Sequence, residues 1–300
     1  MADVGFDGQV VIITGAGGGL GREHALLLAE RGCRVVVNDL GGAVDGTGGD
    51  AGPAQRVVDE IVAAGGEAVA DTNSVATAEG GAAIVQTAVD AYGRVDIVVN
   101  NAGILRDKSF HNLTPDLTDA VIDVHLRGAF HVTQPAYKLM REQNYGRIIC
   151  TSSSAGLFGN FGQANYGAAK MGLVGLTHVL AIEGAKFNIK ANAIAPSAGT
   201  RMTEEIFGEE LSKQLAPEYV SPLVAFLAHE DCPVSGEVFT VGAGRMARVF
   251  VGVGQGYFKK GGMSVEDVRD HFEEIDSVED PQIFRNAFQE LKVISGLLGE

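Results

Sequence analysis

Cysteine is scarce and odd in number: Cys33, Cys150 and Cys232 are scattered, and each lies inside or beside an apolar segment. That argues against the paired framework of a small secreted scaffold and for buried, reduced thiols. Basic residues are also in short supply, 23 Lys and Arg against 38 Asp and Glu, for a net charge of −15. A nucleic-acid surface needs clustered cations, so no nucleic-acid partner is expected, and an anionic substrate would need a local basic pocket. Long apolar runs are missing too. No charged leader with an apolar core opens the chain, and no run approaches the ~18 residues needed to span a bilayer. A soluble, cytoplasmic protein with no membrane partner is expected.

Glycine, by contrast, is abundant: 41 of 300 residues, without a collagen-like period. That is about twice the usual share, so many tight turns or close backbone approaches are implied. With 46% hydrophobic residues the chain can build one large domain or two modest ones. Short β-branched runs at Gln9 to Thr14, Arg34 to Asn38, Glu67 to Asp71, Val95 to Asn100, Arg147 to Thr151, Ile189 to Ala195 and Glu237 to Val241 read as strands buried on both faces. Helical patterns near 20–31, 54–64, 77–92, 115–142, 164–185 and 217–229 separate them, each long enough for a right-handed crossover. The expected fold class is α/β: a Rossmann-type, doubly wound, seven-stranded parallel sheet with helices on both faces.

Two insertions depart from a minimal version of that fold. Gly41 to Pro53 is a glycine-rich loop after the second strand. Ser197 to Pro217 carries Met202, Ile206, Phe207 and Leu211 on an amphipathic stretch and reads as a substrate lid. Beyond Gly244 one helix is expected to start at Ser264, with Asp267 at capping-box spacing, and another at Pro281, suited to a first helical position.

The strand ending at Thr14 runs into Gly15-Ala16-Gly17-Gly18-Gly19-Leu20-Gly21 and then a helix, the context a phosphate-binding turn requires. Gly15 permits the tight turn, Gly19 lets the backbone approach a pyrophosphate, and Gly21 lets the helix pack on the sheet, its N-terminus facing the charge. Asp39 ends the second strand, where a carboxylate would accept from a ribose diol and repel a 2′-phosphate, favouring NAD over NADP. The plainer alternative is that Asp39 caps a turn with Gly41 and Gly42. Arg22 is the counter-evidence, a basic residue that could meet a 2′-phosphate. After the fourth strand comes Asn100-Asn101-Ala102-Gly103; Asn100 is the better cofactor contact, and Asn101 is as readily structural.

Tyr166 and Lys170 stand four residues apart on a helical pattern and so share a face. Thirteen positions upstream of the tyrosine, a serine cluster at a strand end offers the hydroxyl of Ser153. Together they suggest proton transfer at a carbonyl or alcohol, with Tyr166 as acid or base, its phenol drawn towards neutrality by Lys170 and a nicotinamide cation, and Ser153 holding the substrate oxygen. A snorkelling lysine beside a core aromatic is the bland alternative. His111, His131 and His178 show no ligand spacing with other His, Cys or acidic residues, so no metal is expected.

In these motifs, from Thr14 to Gly21, Asn100 to Gly103, Ser153, Tyr166 with Lys170, and the turn at Pro196, the chain resembles the short-chain dehydrogenase/reductase superfamily. The resemblance implies an NAD-linked oxidoreductase and adds Leu20, Asn73, Ala102, Gly103, Pro196 and Thr200 to the expected cofactor contacts. A narrower resemblance reaches the (3R)-hydroxyacyl-CoA dehydrogenase units of peroxisomal multifunctional enzymes. It rests on Val36 to Gly42, Asn101 to Asp107, Val124 to Gly128 and Gly159 to Tyr166. It implies an acyl-CoA-like substrate in a stand-alone bacterial relative lacking the hydratase and sterol-carrier units. The superfamily usually places an asparagine on the long helix to complete a proton relay. Here that position is His125, as in the hydroxyacyl-CoA branch, and the histidine replaces the amide, yields to a backbone carbonyl with water, or only packs. Residues 1–246 are expected to form the dinucleotide-binding catalytic domain, and 247–300 an extension on that domain or a dimer partner. Apolar faces on the 115–142 and 164–185 helices point to a homodimer, with a tetramer second. Alternatives are a 3-oxoacyl-carrier-protein reductase, a hydroxysteroid dehydrogenase, and a catalytically silent NAD-binding subunit.

Overall fold

β-branched runs become the strands β1 (Val10–Thr14), β2 (Arg34–Asn38), β3 (Glu67–Asp71), β4 (Ile97–Asn100), β5 (Gly146–Thr151), β6 (Ile189–Pro196) and β7 (Val238–Gly242) in a computed structural model that describes residues 4–199, 210 and 213–299. Every residue of β1, β4 and β5 is buried, as a sheet covered on both faces requires. All six registered pairings among these strands are parallel. The order is β3-β2-β1-β4-β5-β6-β7, closed by β8 (Arg245–Val249).

The sheet therefore has eight strands where seven are expected from sequence. Ala243 at φ 46° and Gly244 at φ 76° are both left-handed, which makes a two-residue hairpin turn from β7 into β8. The segment Arg245-Met246-Ala247-Arg248-Val249 lacks the continuous apolar run by which the other strands are recognised.

Helices α1 (Gly19–Glu30), α2 (Gly52–Ala63) and α8 (Ser221–Ala228) bury their apolar faces in one core with Val11, Ile13, Val35 and Val37. On the opposite side α3 (Ala78–Tyr92) packs on α5 (Gly128–Gln143), and α7 (Ala164–Gly184) packs on β5 and β6. The helix expected over 115–142 is broken: α4 (Pro115–Ile122) passes through a π-helical turn, Asp123–Arg127, before α5 begins. That widened turn carries His125, which is buried. A short helix α6 (Ser154–Phe158), absent from the sequence expectation, follows β5.

The winding of the sheet switches sides between β1 and β4, so the crevice at their carboxyl ends is where an open α/β sheet binds ligands. Among the described residues no helix is long and apolar enough to cross a membrane. The expected lid residues Met202, Ile206, Phe207 and Leu211, and also Thr200, lie outside the described residues.

Val249–Glu300 forms a second compact unit. Its helix α9 (Val265–Asp270) has the capping box expected at Ser264, whose side chain accepts from Asp267 N–H. Helix α10 (Phe272–Ile275) follows. The last helix, α11 (Ala287–Leu298), starts after Asn286 rather than at Pro281. Asn286 caps the Gln289 N–H, whereas Pro281 precedes an antiparallel bridge between Gln282 and Val253.

Candidate active site

The glycine turn is closed so tightly that its residue types are obligatory. A Cβ on Gly15, at φ 66°, would lie 2.8 Å from Ala102 Cα, and one on Gly21 would lie 2.3 Å from Gly15 O. Asn101 ties the turn to β4, its Nδ2 donating to Thr14 O at 3.0 Å and to Gly15 O at 3.1 Å. Helix α1 has Gly18 as its N-cap and no side-chain cap, so its first N–H groups remain available to an anion. Gly15, Gly19, Leu20, Asp39, Asn73, Ala102 and Gly103 all line one cavity of about 550 Å³. A dinucleotide fits this cradle.

Both readings of Asp39 have a footing in the geometry. Its carboxylate accepts from Gly17 N–H at 2.8 Å and Gly41 N–H at 2.7 Å, so it spans the glycine turn and the following loop while still facing the cavity. Arg22 is committed elsewhere, paired with Glu23 and Glu60. Asn73 is held by Asp71, to which its N–H and Nδ2 donate at 3.0 and 2.8 Å. Of the two asparagines at the end of β4, it is Asn101 that lines the cavity. Asn100 turns away and donates to Thr133 Oγ1 at 2.8 Å, which corrects the sequence-based preference. The pleat of β4 directs its last side chain towards α5.

On the far wall β5 ends at Thr151 and Ser153 caps α6, its Oγ accepting from Ala155 N–H at 3.2 Å. Tyr166 and Lys170, one turn apart on α7, reach the same cavity, with Pro196 at the end of β6 beside them. The Ser153 hydroxyl is close enough to the Tyr166 phenol to act on its pKa. Lys170 is buried; its Nζ donates to Thr151 O at 2.6 Å and lies 5.5 Å from the Tyr166 ring centroid. Desolvation lowers the Lys170 pKa to about 7.

Tyr166 does not behave as the sequence alone suggests. Desolvation raises its pKa above the usual 10, opposed by the Ser153 hydroxyl and reinforced by the charge of Asp107. The chain's own groups therefore keep the phenol protonated, and Lys170 does not offset burial. A cation near the hydroxyl is what the site needs to favour phenolate.

Two polar residues outside the predicted site hold this wall in place. Asn165 Nδ2 donates to Arg106 O at 3.0 Å and Leu117 O at 3.1 Å, while its Oδ1 accepts from Tyr166 N–H at 2.8 Å. Gln163 Nε2 donates to Asp107 Oδ2 at 2.7 Å. The signal was present as an amide at the two positions flanking Ala164, before an aromatic, but nothing local names their partners.

His125 faces the loop that follows β4. Its Nε2 lies 3.0 Å from Ile104 N and 2.8 Å from Ile104 O, and its Nδ1 has no protein partner. A Cβ on Gly103 would fall 2.3 Å from its Cε1, so Gly103 is small to admit the ring. Burial, with the Lys170 charge adding to it, holds the imidazole well below its ordinary pKa, and it is neutral.

The short chain dehydrogenase family matches residues 9–211. This chain is a short-chain dehydrogenase. The dehydrogenase is 55% identical over 244 residues to mouse peroxisomal multifunctional enzyme type 2, covering 81% of this chain and 33% of the mouse protein. The solved full-length enzyme of the same name from Drosophila melanogaster superposes with a TM-score of 0.82 at 40% identity, covering 98% of this chain and 50% of that one. A solved 7α-hydroxysteroid dehydrogenase, complexed with NADH and 7-oxo glycochenodeoxycholic acid, gives a TM-score of 0.73 at 29% identity, covering 81% of this chain and 98% of that one. The dehydrogenase thus spans a third of the mouse multifunctional enzyme and half of the Drosophila one. It is an oxidoreductase that uses a nicotinamide cofactor.

Proposed function

We propose that this dehydrogenase interconverts a (3R)-hydroxyacyl-CoA and the 3-ketoacyl-CoA, with NAD as cofactor. One observation carries the chemistry: Ser153, Tyr166 and Lys170 share one wall of the cavity whose other wall is the glycine turn. The substrate class comes from the likeness to peroxisomal multifunctional enzymes.

Gly15, Gly19 and Leu20 would hold the pyrophosphate at the start of α1, with Gly21 buried behind them so that the helix can approach, Asp39 the adenosine ribose, and Asn73, Ala102, Gly103, Pro196 and Thr200 the rest. Preference for NAD is supported by Asp39 in the cavity and by Arg22, whose guanidinium is occupied by Glu23 and Glu60 and so unavailable to a 2′-phosphate. When bound, the nicotinamide supplies the hydride acceptor or donor, and its positive charge opposes the burial that raises Tyr166. In oxidation, Tyr166 takes the proton of the 3-hydroxyl as its C–H hydride departs, leaving a ketone. In reduction the phenol returns that proton. Ser153 donates to the substrate oxygen, and Lys170 supports the phenolate. His125 positions the Gly103–Ile104 floor and the tyrosine ring.

The homodimer is supported by the exposed apolar residues Phe130 on α5 and Val179 and Ile182 on α7. We read residues 247–300 as an extension of the catalytic chain, and none of the described residues in 250–299 is buried. Three buried, unpaired thiols suit the reducing cytoplasm.

Initial rates against 3-hydroxyacyl-CoA thioesters of several lengths, acyl-carrier-protein thioesters and a hydroxysteroid, each with NAD and NADP, test this reading. The CoA thioesters with NAD should give the highest kcat/KM; a preference for NADP, or for the steroid, overturns it.

A further inference from the structure

We propose that the segment Gly41–Asp50 is a strap across the cofactor cleft and that Arg106 is the positioning residue that latches it, an inference that rests on the nicotinamide-cofactor reading. The segment leaves the end of β2 and makes hydrogen bonds with the loop after β4: Leu105 N–H donates to Val44 O at 2.9 Å, and Arg106 Nε donates to Asp45 O at 2.8 Å. Strands β2 and β4 are the two neighbours of β1. A chain segment joining their ends must pass over the end of β1, where the glycine turn lies. Gly42, Ala43, Val44 and Gly46 accordingly line the same cavity as Gly15, Gly18 and Gly19.

The strap is built as one piece with a fixed root. Ala43 N–H donates to Thr47 O at 2.8 Å, and the Thr47 N–H and hydroxyl donate to Asp45 Oδ1 at 2.9 and 2.7 Å. At the root, Asp50 N–H donates to Leu40 O at 3.0 Å and Gly41 N–H to Asp39 Oδ1 at 2.7 Å. Gly41 has φ 74°, and a Cβ there would lie 1.8 Å from Asp50 O. Root and tip are thus held differently: the root by backbone that no other residue type could follow, the tip by two hydrogen bonds.

An elongated dinucleotide lying between the turn and the strap cannot leave until the tip lifts. Breaking two hydrogen bonds is a small local opening compared with unfolding, so the strap sets the release rate without being rigid. The latch also touches the catalytic helix, because Arg106 O accepts from Asn165, whose Oδ1 accepts from Tyr166 N–H. Closure of the strap and placement of the tyrosine share one residue.

The test is the dissociation rate of NADH, followed by its fluorescence after a chase with excess NAD and without any substrate. Arg106→Ala should release NADH roughly 5–10-fold faster, the effect of one lost hydrogen bond. Arg106→Lys, which can still donate to the Asp45 carbonyl, should recover most of the retention, and replacing residues 43–48 by two glycines should release faster still. Equal thermal unfolding of Arg106→Ala and the native chain, together with the lysine rescue, separates latching from a general loss of structure. Unchanged release in both Arg106→Ala and the shortened variant, with NADH still bound, overturns the strap alone. Failure of the native chain to bind NADH overturns the cofactor reading with it.

Discussion

The His125 and Tyr166 rings pack edge to face, with ring centroids 5.1 Å apart and planes at 84°. The imidazole is hydrogen-bonded through Nε2 to Ile104, so one side chain sets the height of the loop after β4 and the tilt of the Tyr166 phenol. Because burial keeps the imidazole neutral, its contribution is geometric. His125→Ala should lower kcat roughly 10–100-fold through misplacement of Tyr166. The pH profile of kcat should keep its shape, measured from pH 6 to 10; loss of a limb of that profile would instead assign the histidine a proton.

In the proposed mechanism Tyr166 carries the proton. Tyr166→Phe should remove turnover by roughly 10²–10⁴-fold while NADH still binds, because the ring and its contact with His125 remain. Rate assays and NADH titration on the same preparation check this. Unchanged turnover would mean that the constellation is a binding surface only.

Burial of Lys170 costs stability. Its folded pKa is about 7 against an ordinary 10.5, so between these values the unfolded chain binds the extra proton. Stability rises with pH across that window, and the cost of burying the cation is fully present below pH 7. Lys170→Met should therefore raise the Tm by several degrees at pH 6, gain less at pH 9, and abolish activity. Calorimetry at the two pH values measures it; a lower Tm at pH 6 would contradict it.

His24 gives a separate acid sensitivity. It is buried between α1 and α8 with Nδ1 2.7 Å from Ser221 Oγ, and burial lowers its pKa to about 3. Below pH 6.5 the unfolded chain takes the proton first, so stability falls by about 1.4 kcal/mol per pH unit from this group until pH 3. Urea unfolding of His24→Gln should show a shallower loss between pH 6.5 and 5 than the native chain; parallel slopes would count against it.

Features set by local spacing were legible in the sequence. Tyr166 and Lys170 share a helix face whatever lies around them, Ser153 follows a recognisable strand, and the glycine turn has one geometry. What was not legible depends on distant partners. Asn100 and Asn101 are indistinguishable until Thr133 on α5 and the carbonyls of Thr14 and Gly15 claim one each. Arg106 meets Asp45 across 61 residues, and no periodicity signals that contact. The direction of the Tyr166 pKa depended on desolvation, which a list of neighbouring charges omits. β8 escaped notice because its sequence is polar and its formation rests on two left-handed turn residues.

The most direct test of the account is the rate of NAD reduction with the two enantiomers of one 3-hydroxyacyl-CoA, assayed separately at equal concentration. The 3R isomer should be oxidised and the 3S isomer should not; equal turnover of both, or turnover of the 3S isomer alone, would contradict it.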